Sequence, residues 1–167
     1  MAGRSPVRAY EPALDEAWAT EFLEAELGGR RQARRDELVD VLEPGHGFVV
    51  ERDGRRVGIL ACRLEPDAVE LAALAVSPRL VGLGSVLVEA LREAAIAAGR
   101  RRIWVVTTND NVDALRFYQR RGYRVAAVRI GAVDRARDRL KPSIGRIGQH
   151  GIPLRDEIEL VLDLQPA

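Results

Sequence analysis

The stretch that most constrains this chain runs from Glu70 to Ala98. An apolar run, Leu71 to Val76, passes through Ser77-Pro78 into the turn Arg79-Leu80-Val81-Gly82-Leu83-Gly84-Ser85. Beyond it Val86, Leu87, Ala90, Leu91, Ala94 and Ala95 recur at the spacing of one helical face. The order predicts a strand, a glycine turn and a helix N-terminus in direct succession. Gly82 and Gly84 carry no side chains, so backbone N–H groups there can approach a ligand closely. The first N–H groups of the helix lack partners inside it, and the helix dipole places positive potential at that end. Such a combination is an anion site, with phosphate its usual occupant. It is not a Walker loop, because no Gly-Lys-Ser/Thr follows. Nor is it a dinucleotide fingerprint, because position 87 is Leu where the third glycine belongs.

The rest of the chain reads as further strands and helices around this stretch. Val7 to Tyr10 is β-prone, and Pro12 opens a helix carrying Leu14, Ala17, Trp18, Phe22 and Ala25, stopped by Gly28-Gly29. The basic run Arg30 to Arg35 leads into a second amphipathic helical segment with Leu38, Val41 and Leu42, ended by Pro44-Gly45. Phe48 to Arg52 and Arg56 to Leu64 flank Asp53-Gly54, a strong hairpin signal. Ala68 to Val76 is a strand, and the long helix from about Ser85 ends at Gly99. Ile103 to Thr108 is a strand. Asn109-Asp110-Asn111 caps a helix over about Val112 to Arg121, ended by Gly122. Tyr123 to Ile130 is a strand, Ala132 to Leu140 a short helix, Lys141-Pro142 to Pro153 a long loop, and Glu157 to Leu164 a period-two strand. The expected architecture is α/β, a mixed sheet with helices on both faces, in one domain over residues 1–167.

Composition narrows the function classes. Hydrophobic residues make up 47% and charged residues 31%, a folded and not a disordered balance. A net charge of +1 gives no overall field toward nucleic acid or an anionic membrane. Cys62 is the single cysteine, which excludes an internal disulfide and fits a reducing cytoplasm. Residues Met1 to Pro6 lack the apolar core of a signal peptide, and no apolar run is long enough to span a bilayer.

With the elements placed, the chain resembles the GNAT superfamily of N-acetyltransferases over essentially its whole length. The resemblance rests on Arg79-x-x-Gly82-x-Gly84 after a strand ending in Val76-Ser77-Pro78. It rests equally on Asn111-x-x-Ala114-Leu115-x-Phe117-Tyr118-x-x-x-Gly122-Tyr123 and on the hairpin and apolar strand ahead of the turn. One departure is Val81, where the family often has a polar side chain, so the grip on phosphate falls to backbone amides.

The resemblance implies a GNAT fold, a mostly antiparallel sheet of six to seven strands splayed at the cofactor site. It also implies acetyl transfer from acetyl-CoA to a primary amine by direct attack, without a metal. Cofactor contacts follow from it: the backbone of Val81, Gly82, Leu83, Gly84 and Ser85, with Arg79, on the pyrophosphate. Leu74, Ala75 and Val76 would meet the pantetheine and thioester, Asn111 the pantetheine arm, and Tyr118 the sulfur. Tyr118 would be the acid for the departing thiolate, a transfer uphill by about 2 kcal/mol on reference values near 8.5 and 10. Glu70, six residues before Val76, stands where several members place a carboxylate base. An ordinary Glu near 4.3 needs burial or an intervening water for that task. His150, flanked by Gly148 and Gly151 in the segment that borders the acceptor in this superfamily, is a base or substrate contact. Each has a plainer reading: Asn111 as a helix cap, Tyr118 as packing, Glu70 as a strand carboxylate, His150 as a loop residue.

A small-molecule amine is the favoured acceptor. Acetylation of a peptide or protein α-amine, or acetyl-CoA sensing without catalysis, are the alternatives. Arginine runs at Arg30–Arg35, Arg100–Arg102 and Arg135–Arg139 raise RNA binding, but 25 acidic residues against 26 basic ones argue against it. Partners are therefore an amine and, as for many relatives, a second copy in a homodimer, with no nucleic acid or membrane.

Overall fold

A computed structural model describes residues 6–79 and 81–164. Met1 to Ser5, read above for a leader, and Leu80, inside the glycine turn, lie outside the described residues, as do the last three. The fold is mixed α/β, with a seven-stranded, mostly antiparallel sheet and, among the described residues, four α-helices. The chain forms two compact units, one from residues 6–30, 40–103 and Leu164, the other from residues 31–39 and 104–163.

The first unit opens with β1 (Val7–Ala9) and α1 (Pro12–Leu27). It continues through β4 (His46–Arg52), β5 (Arg55–Leu64), β6 (Ala68–Val76) and α2 (Leu83–Ala97), and holds the first residues of β7 (Arg102–Thr108). Its strands run β1-β4-β5-β6, each neighbouring pair antiparallel. The β4–β5 hairpin turns at Asp53-Gly54, both with positive φ, as the dipeptide demands. Tyr10, Ala19, Leu23, Val41, Leu42, Val49, Ile59, Ala61, Ala73 and Ala75 form one buried cluster. Val50 and Leu60, also fully buried, alternate with these and take the other face, where α2 packs on β4 to β6 through Leu87, Val88, Leu91 and Ala95.

The start of α1 is fixed by charge. Asp15, fully buried, accepts from Arg8 Nη1 at 2.7 Å, Arg8 Nη2 at 2.8 Å and the Glu11 N–H at 2.9 Å, with Arg56 Nε at 2.9 Å. The bonds from Arg8 hold the carboxyl below its ordinary value, overcoming the opposite pull of burial.

A bulge sets the faces of β6. Ala61 pairs with Ala73 but Cys62 pairs with Leu71, so Ala72 is an extra residue. The shift puts Glu70, opposite Arg63, on the same face as Ala73 and Ala75. Regular alternation would have sent it to the other side.

The second unit contains β2 (Arg31–Arg34), β3 (Glu37–Asp40, its last residue in the first unit), most of β7, α3 (Val112–Gln119), β8 (Arg124–Arg129), α4 (Ala132–Arg139) and β9 (Glu157–Asp163). Its sheet order is β7-β9-β8, and β8 and β9 are antiparallel.

The second helical segment expected after the basic run, with Leu38, Val41 and Leu42, is absent, and residues 31–40 form the β2–β3 hairpin instead. Its two-residue turn, Arg35-Asp36, has φ of 50° and 60°, a conformation that glycine or asparagine usually supplies. Tertiary contacts hold it. The Arg35 guanidinium lies 3.6 Å from the Trp104 ring centroid and grips Glu159 with Nε at 3.0 Å and Nη2 at 2.7 Å. The Arg35 N–H reaches both Glu157 oxygens, at 3.2 and 3.1 Å, and Arg135 Nε bonds Asp36 at 3.2 Å. The helical spacing of Leu38, Val41 and Leu42 is outweighed by these contacts. Burial raises the Glu157 carboxyl. For Glu159 burial acts the same way, but hydrogen bonds from Arg35 and Arg129 prevail and lower it.

Candidate active site

Strand β6 delivers its C-terminal residues Leu74, Ala75 and Val76 to the glycine turn, as the sequence predicts. Gly82 is the N-cap of α2, at φ 84° with open space where a Cβ would stand. The helix begins two residues earlier than expected, so Leu83, Gly84 and Ser85 form its first turn, where N–H groups point out of the helix. No acidic residue lies in that first turn, which leaves the positive end of the dipole uncompensated. The Val81 side chain is exposed. Arg79 is also exposed, its Nη2 3.9 Å from Glu26 on α1, a loose surface pair that leaves the guanidinium open to an anion.

In the second unit Asn111 is a cap: its Oδ1 accepts from the Ala114 N–H at 3.1 Å. That bond occupies the carbonyl oxygen and leaves the amide NH2 as the group a ligand can engage. Tyr118 is 5% exposed and packs edge-on to Phe117, with ring centroids 5.2 Å apart, and beside Tyr123 at 5.3 Å. Burial, with Tyr123 next to it, raises the phenol above its ordinary value near 10, and Arg121 opposes the shift. Tyr118 is therefore held firmly protonated. The reference comparison of about 2 kcal/mol understates the transfer unless the thiolate is desolvated to a similar degree.

Glu70 is 1% exposed, and Arg63 Nη1 lies 3.3 Å from its Oε2. Cys62, paired across from Leu71, is buried; burial, with Glu70 adding negative charge, pushes its thiol up to about 11. His150 sits in a single 3-10 turn, Gln149–Gly151, with its Nε2 3.3 Å from Asp113 Oδ2 on α3. Glu70, the β6 backbone and the glycine turn thus belong to the first unit, and Asn111, Tyr118 and His150 to the second.

Two residues read only as part of a cap do more. The Asn109 side chain donates to the Pro153 carbonyl at 2.8 Å and accepts the N–H groups of Arg155 at 3.0 Å and Asp156 at 2.9 Å. Asp110, 4% exposed, accepts the Thr108 hydroxyl on Oδ1 and the Gln149 N–H on Oδ2 at 2.8 Å. The expected loop is thereby an ordered hairpin, closed by Leu154 N–H to Arg146 O at 2.9 Å and Gly148 N–H to Ile152 O at 2.8 Å. An Asn-Asp pair directly after an apolar strand was the available signal; its distant partners carried none. The arginine runs are engaged as well. Arg30 pairs with Asp40 and Glu16, Arg100 caps the Glu65 and Pro66 carbonyls, and Arg137 holds the Ile144, Gly145 and Leu154 carbonyls. Among the described residues no group of three or more His, Cys, Asp and Glu could hold a metal ion, and no helix is long and apolar enough to cross a membrane.

The glycine turn at the start of α2 and the buried tyrosine on α3 each stand on the kind of element that the GNAT resemblance implies for them. Comparison with known proteins agrees. The model of the acetyltransferase (GNAT) family matches residues 8–123. The uncharacterized protein YxbD of Bacillus subtilis strain 168 is 39% identical over 121 residues, 72% of this chain and 75% of that protein. A Bacillus subtilis acetyltransferase solved with CoA superposes with a TM-score of 0.75 at 24% identity, covering 97% of this chain and 100% of that one. A GNAT family acetyltransferase from Elizabethkingia anophelis with acetyl-CoA bound gives 0.77 at 16% identity, covering 97% and 99%. The chain belongs to the GNAT family of acetyltransferases. That family makes it an acetyltransferase.

Proposed function

We propose that the whole chain acts as one acetyltransferase domain in the cytoplasm, moving the acetyl group of acetyl-CoA to a primary amine of a small molecule by direct attack. The observation that supports direct attack is Cys62. It is the only cysteine, it is buried, and its thiol is pushed up to about 11, which disfavours at neutral pH the thiolate that would carry the acetyl group. The N–H groups from Val81 to Ser85, aided by Arg79, hold the pyrophosphate. The backbone of Leu74, Ala75 and Val76 lies along the thioester arm, and the Asn111 amide meets the pantetheine. The chemistry acetyl-CoA supplies is an activated carbonyl. The chain's contribution is to fix that carbonyl, exclude water and hold the Tyr118 proton ready for the sulfur. Glu70, a buried carboxylate on β6, is the proposed negative charge of the acceptor side, drawing the ammonium in and passing its proton through water.

The test is release of CoA thiol from acetyl-CoA against amino acids, polyamines, aminoglycosides and short peptides. A selective small-molecule hit supports the reading, as does retention of activity by Cys62→Ala with no acetylated enzyme seen by mass spectrometry. A turnover that collapses in Cys62→Ala, with a trapped acetyl-cysteine in the parent, overturns direct attack. Glu70→Gln should shift the acidic limb of the pH–rate profile, and an identical profile removes Glu70 from proton transfer.

A further inference from the structure

Asp15, Glu70, Glu157 and Glu159 are buried carboxylates met by arginines, and the arginine at Glu70 differs from the others. Arg8 binds Glu51 as well as Asp15, Arg56 binds the Leu14 carbonyl, Arg35 lies on Trp104, and Arg129 bridges Glu157 and Glu159. The Arg63 guanidinium has Glu70 alone among the described residues. Its Nη1 stands 3.3 Å from Oε2, and most of its N–H donors have no protein partner. The Arg63 side chain is 40% exposed against 2% for that of Glu70. Strand β6 is bulged to bring the two together: without the extra residue Ala72, alternation would turn Glu70 to the face opposite Arg63. Bulges re-aim side chains in this way beside active sites. Stability alone does not account for the pair, because apolar residues of similar volume commonly serve as well in its place.

Resting on the reading above of Glu70 as the charge that draws in the acceptor ammonium, we propose that Arg63 determines specificity beside it, and that the acceptor is an amine with a carboxylate a few bonds away, as in an α-amino acid. An ammonium arriving at Glu70 stands next to the Arg63 guanidinium, and like charges that close repel. A plain cation such as a polyamine bears that repulsion in full. A zwitterionic amine does not. Its ammonium meets Glu70 while its carboxylate takes the open N–H groups of Arg63, whose planar fork matches two carboxylate oxygens at once. Two opposite charges of the chain then face two opposite charges of the ligand. The guanidinium and carboxylate lie 3.3 Å apart, so the groups they bind must be close together in the acceptor and not at the ends of a long chain. One guanidinium also suits one negative charge. A phosphate in place of the carboxylate would set a second negative charge beside Glu70.

The experiment follows CoA thiol release by the full chain with each of the protein amino acids and with the amide of each. The amide keeps the amine and the side chain and loses only the negative charge. Cadaverine is the purely cationic comparison, and acetyl-CoA affinity is measured alongside. Wild type should turn over at least one amino acid with a kcat/KM about tenfold or more above that of its amide and of cadaverine. A freer amine cannot explain such a preference, since the amide is the weaker base. Arg63→Gln should abolish it, raising the KM for the amino acid about tenfold but not that for the amide, with acetyl-CoA affinity kept. Arg63→Glu should reverse the order and favour cadaverine. If Arg63→Glu fails to fold, the wild-type ranking and Arg63→Gln, altered only at a half-exposed side chain, decide the matter. Amides or cadaverine turned over by wild type as well as the acids overturn the inference. So does an Arg63→Gln that weakens acid and amide alike, as a merely structural pair would, or a wild type that binds acetyl-CoA but acetylates no amino acid. An Arg63→Gln effect on the amino acid with none from Glu70→Gln overturns the reading of Glu70 and not the carboxylate contact. A wild type that does not bind acetyl-CoA overturns the acetyl-transfer reading itself.

Discussion

The turn at residues 79–85, proposed to hold the cofactor, and the hairpin at residues 146–156 are made of different material. The first is backbone: a left-handed glycine, a helix start and amides whose direction follows from the helix itself. The second is side chains from elsewhere, with Asn109 and Asp110 reaching residues 39 to 47 positions further along the chain. A site made of backbone should tolerate substitution at exposed side chains such as Val81, and fail when a side chain or charge intrudes. A site made of distant side chains fails when any one anchor is removed.

The comparison can be broken in order of expected effect. Tyr118→Phe, a side-chain deletion in the second unit, should lower kcat by about 10² to 10⁴ while acetyl-CoA binds nearly as before. An unchanged kcat in stopped-flow thiol release removes Tyr118 from the chemistry. Asp15→Asn lies in neither region and should spare the kinetics of the folded protein. It should instead cost about 3 kcal/mol in denaturant unfolding at neutral pH, because two arginines lose their buried partner. The sign with pH follows from the lowered carboxyl of Asp15. Its contribution is present above the unfolded value near 3.9, and lost as pH falls through the lower folded value. The decline of stability below about pH 4 should accordingly be shallower in Asp15→Asn, and parallel curves would deny the ion pair its role.

Gly84→Glu tests the backbone region directly. A carboxylate placed in the first turn of α2 opposes an incoming phosphate, so the acetyl-CoA Kd should rise about tenfold with thermal stability unaffected or slightly raised. Equal affinity by calorimetry would mean that the pyrophosphate lies elsewhere. Smallest is the effect of salt. If Arg79 and its neighbours attract the cofactor, the KM for acetyl-CoA should rise about two- to threefold between low and physiological ionic strength. A flat response assigns the grip to amides alone.

Legibility in the sequence follows the same division. The glycine turn, the Asp53-Gly54 hairpin, the Asn111 cap and the long helix are all set by residues within a few positions of one another, and each stands where the spacing placed it but for the two residues by which the long helix starts early. The β2–β3 hairpin was misread as a helix because its turn, Arg35-Asp36, lacks the glycine or asparagine that marks such turns. Trp104, Glu157 and Glu159 supply what the dipeptide lacks. The Ala72 bulge, which decides the face of Glu70, left no mark in a continuous apolar run, where no alternation shows the register. The anchoring by Asn109 and Asp110 was hidden behind a simpler role in helix capping. Short-range chemistry is written in the sequence; the choice of distant partner is not.

The Arg35-Asp36 turn has one more consequence, and it concerns time. Nothing in residues 31–39 favours the turn before its supports exist, and Glu157 and Glu159 are 122 and 124 positions away along the chain. Closing so long a loop must precede any gain from the contact. The hairpin should therefore be among the last parts of the molecule to form, after β9, and its amide hydrogens among the first of the strand amides to exchange with solvent.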